Sequence, residues 1–276
     1  MIAHTESVVM FGPAQSLVGV LTMPDTRRVE FVVLLSNTGM NTRVGPFRLN
    51  VKLARAFARA GIPTFRFDRS GLGDSAMRTT PGSDHHHALQ DTADAMDVLE
   101  TAHGLRRCVL VALCSGVDVA HATTLRDPRV VGAVFMDGYA YPTPGFLWRR
   151  GLPRLLDSER IRRSLRWRRH RAQYPEFFAE APAGPVFTRE IPSLEQFRAD
   201  IRAMVARGTR VLMVYTGGMA VHINAPQQLY EMIGTDVSPN DVAVAWMPEA
   251  DHLFSSDRAR RALQAKLLTW IERLTG

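Results

Sequence analysis

The apolar run from Cys108 to Leu113 leads without a visible loop into Cys114-Ser115-Gly116, and then into a helix-forming stretch over 117–125. A run this short and this apolar suits a strand buried on both faces, as in a parallel sheet covered by helices. A strand that turns at once into a helix brings the two backbones almost into contact, so small residues are needed around the turn. The rest of the chain repeats the alternation. Residues 6–11 and 17–21 read as a β-hairpin around Gly12-Pro13. Strands are expected over 31–35, 63–67, 108–113, 130–136, 211–215 and 242–247. Helices are expected over 47–60, 86–102, 117–125, 225–233 and 259–274. Val51, Ala54, Phe57 and Ala58 form a helical stripe that Gly61 ends. An antiparallel start followed by repeated strand–helix units implies an α/β fold, with a mostly parallel sheet and helices on both faces. The stretch 141–205 breaks the rhythm. It is rich in Arg, Pro and aromatic residues and carries no clear strand.

With 276 residues and 46% hydrophobic content, the chain can bury a sizeable core without disulfides or metals. No window approaches the ~18 apolar residues of a membrane span. The start, Met1-Ile2-Ala3-His4-Thr5-Glu6, lacks the pattern of a signal peptide, so a cytoplasmic location is expected. Cys108 and Cys114 are the two cysteines; six positions apart across one strand, they cannot pair with each other, and they suit a reducing compartment. The net charge of +7 is carried almost wholly by arginine, since Lys52 and Lys266 are the only lysines. Such a balance fits an acidic partner or a GC-rich genome.

Two registers are open for a reactive group on the turn. With Cys114 as nucleophile, the residues two before and two after are Ala112 and Gly116, both small; with Ser115 they are Leu113 and Val117, both bulky. Sterics select Cys114. Together with this elbow stand Asn37-Thr38-Gly39, Arg43-Val44-Gly45-Pro46, the segment from Phe67-Asp68-Arg69 to Gly73-Asp74-Ser75, and Ala250-Asp251-His252-Leu253-Phe254. On these residues the chain resembles the α/β-hydrolase superfamily, and more narrowly the bacterial exosortase-associated hydrolases and related small acyl-transferring enzymes. The resemblance implies a hydrolase core over 1–140 and 206–276, with a helical cap over 141–205 inserted after the sixth strand.

A cysteine nucleophile acts as its thiolate, and a histidine generates it by taking the proton. His252 follows the last strand, which is where the base falls in the order nucleophile, acid, histidine. The family usually places its acid after the seventh strand. Here that loop, Thr216-Gly217-Gly218-Met219-Ala220-Val221-His222-Ile223-Asn224, has no carboxylate. Asp137, just after the sixth strand, occupies an alternative position; a cysteine–histidine pair working without an acid is the other possibility. Asp251 adjoins His252 but is expected to point elsewhere. Backbone N–H groups of Ser115 and of Gly39 or Met40 are expected to form the oxyanion hole. The glycines of 68–75 read as turns. His85-His86-His87 lacks metal-ligand spacing, so neither metal nor cofactor is expected.

A thioester acyl-enzyme is stabilised less by resonance than an oxyester, so amines, thiols and alcohols can compete with water for the acyl group. The expected activity is therefore acyl transfer, or thioester or ester hydrolysis; cysteine-bearing dienelactone hydrolases show that plain hydrolysis fits too. In the inserted segment Arg149, Arg150, Arg154, Arg160, Arg162, Arg163, Arg166, Arg168, Arg169 and Arg171 stand against Asp157 and Glu159, interleaved with Trp148 and Trp167. This is a solvated helix face, or a surface for an acyl carrier protein, coenzyme A or an anionic glycan. No nucleic-acid motif accompanies the charge. The alternative function is a non-catalytic binding or scaffold protein on a hydrolase fold, recognising an acidic partner.

Overall fold

The computed structural model describes residues 3–156, 189 and 191–274. Eight strands form one sheet: β1 (His4–Phe11), β2 (Leu17–Pro24), β3 (Phe31–Leu35), β4 (Thr64–Phe67), β5 (Arg107–Leu113), β6 (Val130–Met136), β7 (Arg210–Thr216) and β8 (Val242–Met247). Their order is β1-β2-β4-β3-β5-β6-β7-β8. β2 runs antiparallel to both β1 and β4, and every pairing from β4 onward to β8 is parallel. The described helices are α1 (Leu49–Arg59), α2 (Asp84–His103), α3 (Gly116–Arg126), α4 (Pro144–Leu156), α5 (Leu194–Ala206), α6 (Gln228–Ile233) and α7 (Asp257–Glu272). This is the mostly parallel α/β sheet expected from the alternation.

Strand alternation divides the core in two. Leu110 and Ala112 of β5 face a cluster with Met96, Leu99, Phe135 and Tyr215, while Val109, Val111 and Leu113 face Leu53, Phe57, Leu263 and Leu267. The second cluster lies under α1 and α7. Each fully buried Leu or Phe contributes roughly 1.5–3 kcal/mol relative to exposure, so the sheet is held rigid from both sides. α5 falls in the stretch read as cap, and its Phe197, Ile201 and Met204 lie in the first cluster, against the sheet.

Two local differences from the sequence reading have backbone causes. The expected helix at 47–60 starts only at Leu49, because Phe47 and Arg48 have positive φ (48° and 61°) and close a short turn first. The helix at 225–233 begins at Gln228, after a turn in which the Gln228 and Leu229 N–H groups bond the Ala225 and Pro226 carbonyls. By contrast, α2 starts where the Ser83 hydroxyl accepts from the His86 N–H, and Gly104 in left-handed geometry ends it.

Along the sheet the chain goes from β3 out to β4, then returns past β3 to β5. The carboxyl ends of β3 and β5 therefore diverge at a topological switch point, where open α/β sheets form their crevice.

Candidate active site

Cys114 stands at that point, one residue beyond β5, with φ of +55°. A left-handed conformation at a side-chain-bearing residue is strained. Here it is held by the Cys114 N–H donating to the Met136 carbonyl (2.9 Å) and the Val117 N–H returning to the Cys114 carbonyl (3.1 Å). The tightness of the turn is visible at Gly116, where a Cβ would lie 2.4 Å from the Asn37 carbonyl oxygen. Any larger residue would push β3 and β5 apart. Ser115 has ordinary helical geometry, and its hydroxyl accepts a 2.9 Å bond from the Gly39 N–H. The two candidates in the turn thus differ: the serine hydroxyl fastens a neighbouring loop, and the cysteine carries the strain.

His252 sits in the loop between β8 and α7, half-exposed. Its ring bonds to Cys114 on one side, and on the other its Nδ1 lies 2.9 Å from Asp137 Oδ2. Asp137 follows β6 with φ of +48° and is buried. Its second oxygen accepts from the Thr216 N–H (2.8 Å), and the Thr216 hydroxyl donates to Oδ2 (2.5 Å). Each carboxylate oxygen is therefore satisfied in a site closed to water, which a buried charge requires.

The electrostatics follow from these contacts. The His252 pKa is pushed up to about 10, first by its bond to Asp137 and next by its bond to Cys114. The Cys114 thiol is lowered, chiefly by the hydrogen bond from His252, with further help from the imidazolium charge, the Ser115 N–H and the Arg189 guanidinium; burial opposes all of these. Both shifts favour a thiolate–imidazolium pair.

The loop after β7 explains why no acid stands there. A Cβ on Gly217 would lie 2.4 Å from the Pro248 carbonyl oxygen, and one on Gly218 would lie 2.8 Å from the His252 Cβ. The His252 loop packs into the space a side chain would need. Asp251 turns away, accepting from the Leu253 and Ser255 N–H groups and the Ser255 hydroxyl.

Gly39, with φ of +52°, lies on the β3 side of the turn, and its carbonyl accepts from Arg69 (2.9 Å). The Met40 side chain beside it is exposed. The glycines at 71 and 73 both have positive φ, as turn residues do. His87 bonds the Thr80 carbonyl, and among the described residues no group of three potential ligands could hold a metal. Nor is any described helix long and apolar enough to cross a membrane.

Two residues that touch this machinery carry no signal in the sequence reading. Thr216 grips Asp137. Arg189 makes a two-pronged ion pair with Asp118 (2.9 and 2.6 Å), donates to the Cys114 carbonyl (3.1 Å), and lies 5.8 Å from the centre of the Tyr139 ring. Strand register could have located Thr216, since Met136 pairs with Val214, so that Asp137 leaves β6 beside the last residues of β7. Of the arginines singled out in the inserted segment, Arg149 is committed internally to Glu231 and Asn224, and Arg150 stacks on Phe146. The Arg154 side chain, Arg160, Arg162, Arg163, Arg166, Arg168, Arg169, Arg171 and Trp167 lie outside the described residues.

Solved structures with this architecture include an esterase from Pyrococcus furiosus (12% identity, 100% of this chain and 92% of that one, TM-score 0.60). A dienelactone hydrolase from Anabaena variabilis matches at 15% identity over 98% of this chain and 97% of that one, with a TM-score of 0.59. Alpha/beta hydrolase domain-containing protein 10 from mouse matches at 13% identity over 98% and 99%, with a TM-score of 0.56. At such identities the likeness is one of fold. No curated protein matches in sequence. The model of the alpha/beta hydrolase family matches residues 32–266, and with that span the chain belongs to the alpha/beta hydrolase family.

Proposed function

We propose that the protein is a cysteine-dependent acyl-transferring or ester- and thioester-cleaving enzyme, with Cys114 as nucleophile, His252 as base and Asp137 as the acid that orients it. The observation that carries this reading is the unbroken line from Cys114 through His252 to the buried Asp137. Asp137 reaches His252 from the end of β6, and this contact, in a chain with no carboxylate after β7, supports an enzyme over a purely binding protein on this fold.

In the reaction, the Cys114 thiolate attacks the acyl carbon of an ester or thioester. The carbonyl π pair moves onto oxygen, facing the Ser115 N–H and the N–H of Gly39 or Met40. Gly39 would exchange its bond to the Ser115 hydroxyl for one to the oxyanion. Collapse expels the alcohol or thiol, which takes the proton from the His252 imidazolium, and leaves an acyl thioester on Cys114. Acylation removes the thiolate charge, and with it one of the causes that raise His252, so the ring becomes a better-matched base. It then takes a proton from water, an alcohol or an amine as that acceptor attacks. The second collapse returns the electron pair to sulfur and restores the ion pair. The Arg-rich inserted segment is the part of the chain suited to an acyl carrier or coenzyme A. Two unpaired cysteines fit work in a reducing, cytoplasmic setting.

The test is intact-mass analysis of the wild-type protein and Cys114→Ala after exposure to a panel of acyl thioesters and activated esters. The expected result is one acyl adduct on the wild type and none on the folded variant. Turnover of the adduct with added alcohol or amine marks a transferase; turnover with water alone marks a hydrolase. An equal adduct on Cys114→Ala, or none on either protein, overturns the proposal.

A further inference from the structure

Resting on the reading of Cys114 as nucleophile, we infer that Arg189 is a positioning residue for it: a guanidinium clasp that pins the strained turn through the Cys114 carbonyl and brings a positive charge to the nucleophile's own residue. Nothing in the reaction as described uses this residue. It lies at the start of α3, where three contacts converge. Its Nε and Nη2 form a fork on Asp118, in the first turn of α3. The same Nη2 donates to the carbonyl of Cys114 itself, at 3.1 Å. Its plane lies near the Tyr139 ring, two residues beyond Asp137.

This geometry has two consequences. The Cys114 carbonyl ends a residue with φ of +55°, and a donor on that oxygen holds the peptide in the orientation the turn needs. The fork on Asp118 fixes the donor, since two parallel bonds leave the guanidinium little freedom. The charge then acts at short range in a half-buried site, where water screens it less than at the surface. Among the described residues, the charged and titratable groups around this turn and its clasp are Asp118 from α3, Asp137, Tyr139 and Tyr141 after β6, His252 after β8, Arg69 at the Gly39 turn, and Arg189. Arg189 is thus a cationic contribution to the sulfur's surroundings independent of His252.

The experiment is the pH dependence of Cys114 alkylation by iodoacetamide, followed by peptide mass in wild type, Arg189→Gln and Arg189→Lys, with thermal melting of each. In Arg189→Gln the midpoint should rise by about one pH unit, the lower end of what one nearby opposite charge produces. In Arg189→Lys, which keeps the charge and loses the fork, it should return most of the way to wild type, even if melting falls in both. A purely structural role would lower melting and leave the midpoint in place, and that result in Arg189→Gln, with a low wild-type midpoint, overturns this inference alone. A shift in Arg189→Lys as large as that in Arg189→Gln also overturns it. A wild-type midpoint in the ordinary thiol range overturns both this inference and the nucleophile reading beneath it.

Discussion

Two cysteines flank one strand, and they live in opposite electrostatic worlds. Cys108, near the amino end of β5, is fully buried among Leu105, Leu110 and Val130, and burial pushes its thiol up to about 12. Cys114, just past the carboxyl end, is half-buried, and its thiol is lowered by His252. The residue type is the same and the strand is the same. What differs is which edge of the parallel sheet each occupies. The connections after β3, β6 and β8 all open at the carboxyl edge, and these deliver Gly39, Asp137 and His252 to Cys114. At the amino edge the apolar core closes over Cys108, and only its neutral form is comfortable there. The ease of ionising each thiol thus follows its position in the sheet, and this can be attacked experimentally at either end.

The largest expected effect comes from exchanging each sulfur for a methyl hydrogen. Cys114→Ala should lower turnover of an activated ester by about 10³-fold or more, as loss of a nucleophile does. Cys108→Ala should leave turnover within about twofold and instead lower stability by roughly 1 kcal/mol, the scale for a small buried deletion. Comparable activity losses in the two variants would erase the distinction between the edges. A smaller effect is expected one step out. Thr216→Val removes a donor from Asp137 while keeping the shape, and should reduce acylation about tenfold, the kinetic equivalent of a hydrogen bond worth about 1–1.5 kcal/mol. Thr216→Ser should restore most of it, and failure to do so would make Thr216 a packing residue. The smallest and most diagnostic effect is a change of profile. Acylation by an alkyl ester should rise as pH passes the lowered Cys114 midpoint, then fall as pH rises through about 10. There the raised His252 loses the proton that the leaving alcohol needs. A single rise near the free-thiol range, with no fall, would place Cys114 on the same footing as any exposed thiol.

Several parts of this site were legible from local pattern. The alternation of strands and helices follows from hydrophobic periodicity, which is a property of neighbouring residues. The choice of Cys114 over Ser115 follows from the size of residues two positions away, and the cradle at Gly116 against the Asn37 carbonyl is the physical form of that rule. Other parts needed distant residues side by side. Thr216 is remote from Asp137 in sequence, and the two meet because β6 and β7 pair in parallel with a fixed register. Arg189 is one arginine in an arginine-rich stretch. Nothing local distinguishes it from Arg149, which is spent on Glu231. Phe47 and Arg48 follow a helical pattern, yet a turn with two positive φ values occupies them, because the chain must reverse over the end of β3 before α1 can dock.

The sequence by itself determined the order of elements, the turn at Cys114, the histidine loop at 252 and the absence of a carboxylate after β7. Each of these is encoded within a few residues, by side-chain size, by apolar period or by simple identity. The tertiary structure alone decided that Asp137 meets His252, that Thr216 satisfies Asp137, and that Arg189 clasps the Cys114 turn. These are contacts between segments that pack against a shared sheet edge, and their geometry exists only once strand register and the packing of the core have set the distances.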